Sequence, residues 1–167
     1  VKGEGCGVVL IKSLEQAQKD NDRIYAVIKG SAVNHDGRSN GLTSPNPASQ
    51  TAAIEQAWNA AGVDPETISY IEAHGTGTQL GDPIEINGIA DSFRKYTDKK
   101  HFFAVGSSKS NVGHLADGAA GITAFIKTVL ALWHRELPAT IHLQYPNPYI
   151  RFIDGPIYLN TKTTPWR

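Results

Sequence analysis

The chain has a single cysteine, Cys6, so it cannot close an internal disulfide and fits a reducing compartment, with the cytoplasm as the expected location. It has no run of about eighteen apolar residues and no charged-then-apolar stretch at its N-terminus, so neither a membrane-spanning helix nor an export signal is expected in it. Charge of one sign is missing too: 16 Lys and Arg balance 16 Asp and Glu, and no like-charged run is longer than Lys99-Lys100. Nucleic acid and anionic membrane are thereby excluded as expected partners, leaving a small molecule or another protein. The histidines His35, His74, His101, His114, His134 and His142 never recur at the spacing of a helical metal site, so no metal is expected. Gly3-x-Gly5-x-Gly7 and Gly75-x-Gly77 both fall short of a dinucleotide fingerprint, and no glycine-rich loop ends in a phosphate-binding lysine. Gly106-Ser107-Ser108 lacks the second glycine of a hydrolase elbow. Internal repeats and low-complexity tracts are absent.

What is there suits one packed domain: 167 residues, 40% apolar, opening on Val1 as expected of a piece of a longer polypeptide. Val8-Val9-Leu10-Ile11 reads as a strand covered on both faces, Ser13 to Asn21 as a short polar helix, and Ile24 to Val33 as a second strand. Asn34 to Ser49 is a loop long enough to suggest binding. Asn46 is placed to cap a helix with Pro47 in its first position, striped by Ile54, Ala57, Trp58 and Ala61 and ended by Gly62. Strands are expected at 69–73, 102–105 and 157–160. Between them lie a helix capped by Asp82, with Glu85 in the capping-box position and a stripe of Ile86, Ile89, Ala90 and Phe93, and a longer helix from Ala119 to His134 ended by Pro138. Its stripe is Ile122, Phe125, Ile126, Val129, Leu130 and Trp133. Tyr145 to Pro148 reads as an extended crossing segment. Strands alternating with helices predict a layered α/β architecture.

Two stretches carry chemistry: Glu72-Ala73-His74-Gly75-Thr76-Gly77-Thr78 and Lys109-Ser110-Asn111-Val112-Gly113-His114. Each sets an imidazole beside glycine after an apolar run, so each histidine is expected to leave a strand for an open loop. Glycines 75, 77 and 81 allow close approach of backbone to ligand, Thr76 and Thr78 add hydroxyls, and Lys109 is a cation able to hold a nearby imidazole neutral. Such a set suits stabilisation of an enolate or oxyanion on a carbonyl substrate. The plainer alternative makes His74 and His114 ordinary turn or core histidines, and Asp82 and Glu85 helix caps.

These stretches, with Leu80-Gly81-Asp82-Pro83-Ile84-Glu85 and Ser107-Ser108, resemble the C-terminal half of a β-ketoacyl synthase, the condensing domain of modular polyketide synthases. The resemblance takes in Gly3-Glu4-Gly5-Cys6-Gly7, Asn34 to Thr43 and Pro146-Asn147-Pro148. It implies the thiolase-like layered α/β/α/β/α fold, with residues 1–167 as its C-terminal half only. It also implies a reaction: decarboxylative Claisen condensation of acyl and malonyl thioesters in polyketide or fatty acid elongation. In the roles it implies, His74 and His114 bond the malonyl thioester oxygen, Lys109 sets their orientation and protonation, and Thr76 and Thr78 meet the phosphopantetheine arm. Asp82, Glu85 and Asn111 would be structural near the site. The implied partners are the N-terminal half of the same domain, an acyl carrier protein bearing the substrates, and a second copy in a homodimer, with no cofactor bound directly.

Two departures qualify this. The family's nucleophilic cysteine belongs to the N-terminal half, and Cys6, expected to be small, buried and inert, does not replace it. After His114 the helix glycine comes at Gly121, one residue later than usual, through an added residue in Leu115-Ala116-Asp117-Gly118, which could re-aim His114. The alternative function is a non-catalytic ketosynthase-like module that binds carrier proteins or completes a dimer.

Overall fold

The computed structural model describes residues 1–37, 45–116 and 118–166. Arg38 to Ser44 of the expected binding loop and Asp117 of the added-residue segment lie outside them. In chain order the first elements are β1 (Lys2–Gly3), α1 (Leu14–Lys19), α2 (Pro47–Ala61), β2 (Tyr70–Glu72), α3 (Gly81–Arg94) and β3 (Phe103–Gly106). There follow α4 (Lys109–Val112), β4 (His114–Leu115), α5 (Ala119–His134), β5 (Glu136–Leu137), β6 (Ile157–Leu159) and β7 (Thr164–Pro165).

Three of the expected apolar runs make the central sheet. It is wholly parallel, in the order β2-β3-β6, with Tyr70 opposite Ala104, Glu72 opposite Gly106 and Phe103 opposite Ile157. Side chains alternate across it, as a period of two requires. Phe103, Val105 and Ile157 face a core built with Trp58 of α2 and Ile86, Ile89, Ala90 and Phe93 of α3. Tyr70 and Ala104 face the other way, toward Leu137 and Trp166. Every residue of β3 is buried, the condition of a middle strand in a parallel sheet. Phe93 is the pivot of the first core, stacked on Phe103 at 4.1 Å and edge-on to Trp58 at 4.6 Å. Each such ring contributes about 1.5–3 kcal/mol by leaving water.

The second face carries α5 and, beyond it, the N-terminal segment. Gly7 passes so close to α5 that a Cβ there would sit 3.0 Å from Ile122 and Ile126. Tyr25 rests on Trp133, ring centroids 4.8 Å apart. Two short pairings complete the fold: β1 with β4 in parallel and β5 with β7 antiparallel. Trp166 locks the latter by donating its indole N–H to Ser69 Oγ at 2.7 Å.

Helix ends follow their caps. Ser13 caps α1, accepting from the Gln16 N–H; Asn46 caps α2, accepting from the N–H groups of Ala48 and Ser49; Gly62 closes α2 in the left-handed region at φ 59°. The long helix spans Ala119–His134 as expected, but Pro138 is not what ends it. Arg135, itself left-handed at φ 56°, ends it after His134, and Pro138 lies beyond the strand β5 that follows.

Three expectations fail. Val8–Ile11 and Ile24–Val33 form no strand among the described residues; Val8 is 91% and Leu10 97% exposed. Apolar letters supply side chains for a sheet but not the neighbouring backbone that completes it. Cys6 is exposed and not buried, because the segment around it has no layer above. The stripe on α5 also stays half open, with Leu130 44% and Trp133 44% exposed.

Candidate active site

All three strands of the parallel sheet end on one side, and the loops that follow β2 and β3 bring the two sequence motifs together there. Between them lies a cleft of about 800 Å³ lined by Gly75, Thr76, Ser107, Lys109, His114 and, from the far wall, Thr140 and His142. The rings of His74 and His114 meet edge to face, centroids 5.8 Å apart and planes at 87°. Despite the added residue downstream, His114 points at His74. Its backbone is held by the start of the chain, the His114 N–H donating to the Val1 carbonyl at 2.9 Å.

Lys109 lies behind His74. Its ammonium donates to the His74 carbonyl at 2.5 Å and faces Nδ1 of the same ring at 3.3 Å. An ammonium has only protons to give, so Nδ1 accepts and a neutral His74 carries its proton on Nε2. Burial, chiefly, and then the Lys109 charge and His114 hold the His74 pKa below the ordinary imidazole value, against an opposing pull from Glu85 and Asp82. Burial likewise lowers Lys109, while Glu85, Glu72 and Asp82 support its charge. The pair therefore gives a neutral imidazole with Nε2–H free to donate.

The loop between β2 and α3 is shaped by carboxylates, though not as caps. Glu85 accepts the N–H groups of His74 at 2.6 Å and Gly75 at 2.9 Å, and Asp82 accepts that of Gly77 at 3.0 Å. The expected cap at Asp82 is replaced by Leu80, which makes no side-chain cap bond, and the helix begins at Gly81. Both carboxylates reach back to the loop because its main-chain donors, turned inward by left-handed Gly75 and Gly77 at φ 51° and 75°, compete for them. A side chain at Gly75 would also put its Cβ 2.9 Å from Ser107. Thr76 lines the cleft, whereas Thr78 lies outside its lining and accepts the Gly81 N–H at 3.0 Å. Asn111, at the rim, takes the Ser110 hydroxyl proton at 3.0 Å.

Sequence reasoning passed over a buried group beneath these loops. Lys127 of α5 pairs with Glu72 at 2.7 Å, side chains 15% and 6% exposed, and Tyr70 donates its phenol to the same carboxylate oxygen. Burial, then Glu72, pushes the Tyr70 pKa up, so the phenol stays protonated. The other Glu72 oxygen takes the Ser108 N–H at 2.5 Å. Lys127 could have been found as the lone lysine within an apolar helix. Asn147, of the Pro146-Asn147-Pro148 motif, donates to the Gln79 carbonyl at 3.3 Å and ties the crossing segment to the His74 loop.

The chain is similar to known proteins over nearly its whole length. Residues 25–144 match the family described as beta-ketoacyl synthase, C-terminal domain. The chain is 52% identical over 167 residues to polyketide synthase PksL of Bacillus subtilis and covers 100% of itself and 4% of that protein. It is 50% identical over 166 residues to polyketide synthase PksM of the same organism, covering 99% of itself and 4% of that protein. The chain thus spans less than a tenth of the length of these relatives. Among solved structures, the ketosynthase from module 6 of the bacillaene synthase of Bacillus subtilis superposes with a TM-score of 0.89 at 43% identity, over 93% of this chain and 28% of that one. Ketosynthase twelve of the bacillaene polyketide synthase of Bacillus amyloliquefaciens gives 0.88 at 44% identity, over 92% and 27%. With the thiolase-like fold of those ketosynthases, and with more than half of its length matched, the chain belongs to the β-ketoacyl synthase C-terminal domain family.

Proposed function

We propose that this chain is the C-terminal half of a ketosynthase domain that elongates a polyketide, or a fatty acid, by decarboxylative Claisen condensation. The observation that carries the reading is the convergence of two imidazoles, 5.8 Å apart, with an ammonium 3.3 Å from Nδ1 of one of them. A malonyl thioester bound in the cleft directs its carbonyl oxygen at the two rings. The bond to its terminal carboxylate breaks, carbon dioxide leaves, and the electron pair moves onto the thioester oxygen. Nε2–H of His74 and an N–H of His114 bond that oxygen as its charge develops, in a site partly withdrawn from water, and such donors account for several kcal/mol of barrier. The enolate carbon then attacks an acyl thioester held on a cysteine, whose thiolate departs.

In this reading that cysteine comes from the N-terminal half, and Cys6, exposed on the segment before α1, is not the nucleophile. Acyl carrier protein delivers both substrates on a phosphopantetheine arm, which has amides suited to Thr76, and the complete domain works as a homodimer in the cytoplasm. Thr78, directed to Gly81, shapes the loop in support of Thr76.

The test is carbon dioxide release from a malonyl thioester by the complete domain containing this chain. Release is expected, and His74→Ala is expected to lower it by about 10²–10⁴-fold. A correctly assembled domain that releases none would leave the non-catalytic carrier-binding module.

A further inference from the structure

We propose that the Lys127–Glu72 ion pair is a positioning element, which anchors the turn that aims the Lys109 ammonium at Nδ1 of His74. The inference rests on the reading of His74 as a hydrogen-bond donor to substrate. Glu72 is the last residue of β2, two before His74, and its carboxylate is shared among three elements. One oxygen takes the Ser108 N–H, at the residue that opens the turn bearing Lys109. The other takes Lys127 Nζ at 2.7 Å and the Tyr70 phenol, and Lys127 also donates to the phenol oxygen at 3.0 Å. A single carboxylate thereby joins the strand before His74, the turn before Lys109 and the helix behind both.

Stability alone does not call for these charges. An apolar pair of similar volume commonly serves a buried contact as well or better. An apolar pair, however, offers no acceptor to Ser108. Lys127 holds the Glu72 carboxylate inward at 2.7 Å; without it, the carboxylate is free to turn to the next cation, Lys109, whose other acidic neighbours are Glu85 and Asp82. A Lys109 drawn toward Glu72 leaves Nδ1 of His74, and the ring loses its fixed tautomer.

The experiment uses the complete domain containing this chain, with ¹⁵N-labelled histidine. Ring nitrogen shifts report the His74 tautomer, malonyl thioester decarboxylation gives kcat and KM, and thermal unfolding reports folding. In the unaltered domain, His74 is expected to read as a single Nε2–H tautomer at neutral pH. Lys127→Met is expected to fold, to show His74 averaged over both tautomers, and to lower kcat about tenfold or more with KM unchanged. Lys127→Arg recovers both signals. A folded Lys127→Met with unchanged His74 shifts overturns the proposal, whatever its rate. If Lys127→Met fails to fold, Lys127→Gln, which keeps a polar side chain but removes the cation, is expected to show the same averaging, and an unchanged tautomer there overturns it equally. Absence of decarboxylation in the unaltered domain would remove the reaction proposed above, while the ring shifts still decide on the ion pair.

Discussion

An imidazole whose Nδ1 faces an ammonium has a restricted proton inventory, and this gives His74 a definite pH behaviour. Its pKa lies below the ordinary 6.5, so the folded state binds fewer protons than the unfolded state as pH falls through that window. Stability tied to this group is therefore present above 6.5 and declines as pH drops toward the lower folded midpoint. The acid limb of decarboxylation is expected below 6.5 for the same reason. Lys109→Met removes one of the causes of the depression, leaving burial in place, and is expected to move that limb upward and reduce the rate about tenfold or more, read from a pH–rate profile. Glu85 invites a separate measurement. Glu85→Ala leaves the His74 and Gly75 N–H groups without their acceptor and is expected to cost about 1.5–3 kcal/mol in denaturant unfolding of the complete domain. The sequence showed Glu85 and Asp82 near a helix start, but a carboxylate one turn into a helix has two sets of amide donors within reach, its own and those of the preceding loop. Only the fold of the loop, turned by Gly75 and Gly77, decides between them.

At the scale of elements, local signals read true where the information was local. Asn46, Pro47 and Gly62 bounded α2 because capping bonds and a left-handed stop are made within a few residues. The stripe of Ile86, Ile89, Ala90 and Phe93 turned inward because α3 packs on both the sheet and α2. Phe93→Ala is expected to cost about 3–5 kcal/mol, since the ring is fully enclosed by Trp58, Phe102 and Phe103; chemical denaturation measures it. Val8–Ile11 and Ile24–Val33 misled because strand pairing is a property of two segments, and an apolar run is silent about its partner. The convergence of His74 with His114 was legible only through the family resemblance; spacing in the chain says nothing of a 5.8 Å approach between loops forty residues apart. Gly30 offers a further check: a Cβ there would lie 2.6 Å from both the Ala57 carbonyl oxygen and the Ala61 nitrogen, so Gly30→Ala is expected to loosen the segment from α2 at a cost of about 1–3 kcal/mol in unfolding experiments.

As a whole, the molecule exposes many large apolar side chains: Val8, Leu10 and Ile11 on the N-terminal segment, Val27 and Ile28 further along it, and Leu130 and Trp133 on α5. Exposed apolar area on that scale drives association. The 167-residue chain by itself is expected to bind a hydrophobic dye and to self-associate in analytical ultracentrifugation, and co-expression with an N-terminal half is expected to suppress both. A dye-silent monomer would contradict this.

The parallel sheet also has a practical corollary for anyone wishing to alter this protein. Because β2, β3 and β6 run in one direction, the candidate site lies at the rim where they finish, and the opposite rim, entered through 97–101, carries exposed polar side chains such as Asp98 and Lys99. A fluorophore, linker or grafted peptide inserted there would sit a strand's length from the imidazoles, on scaffold the reaction does not use.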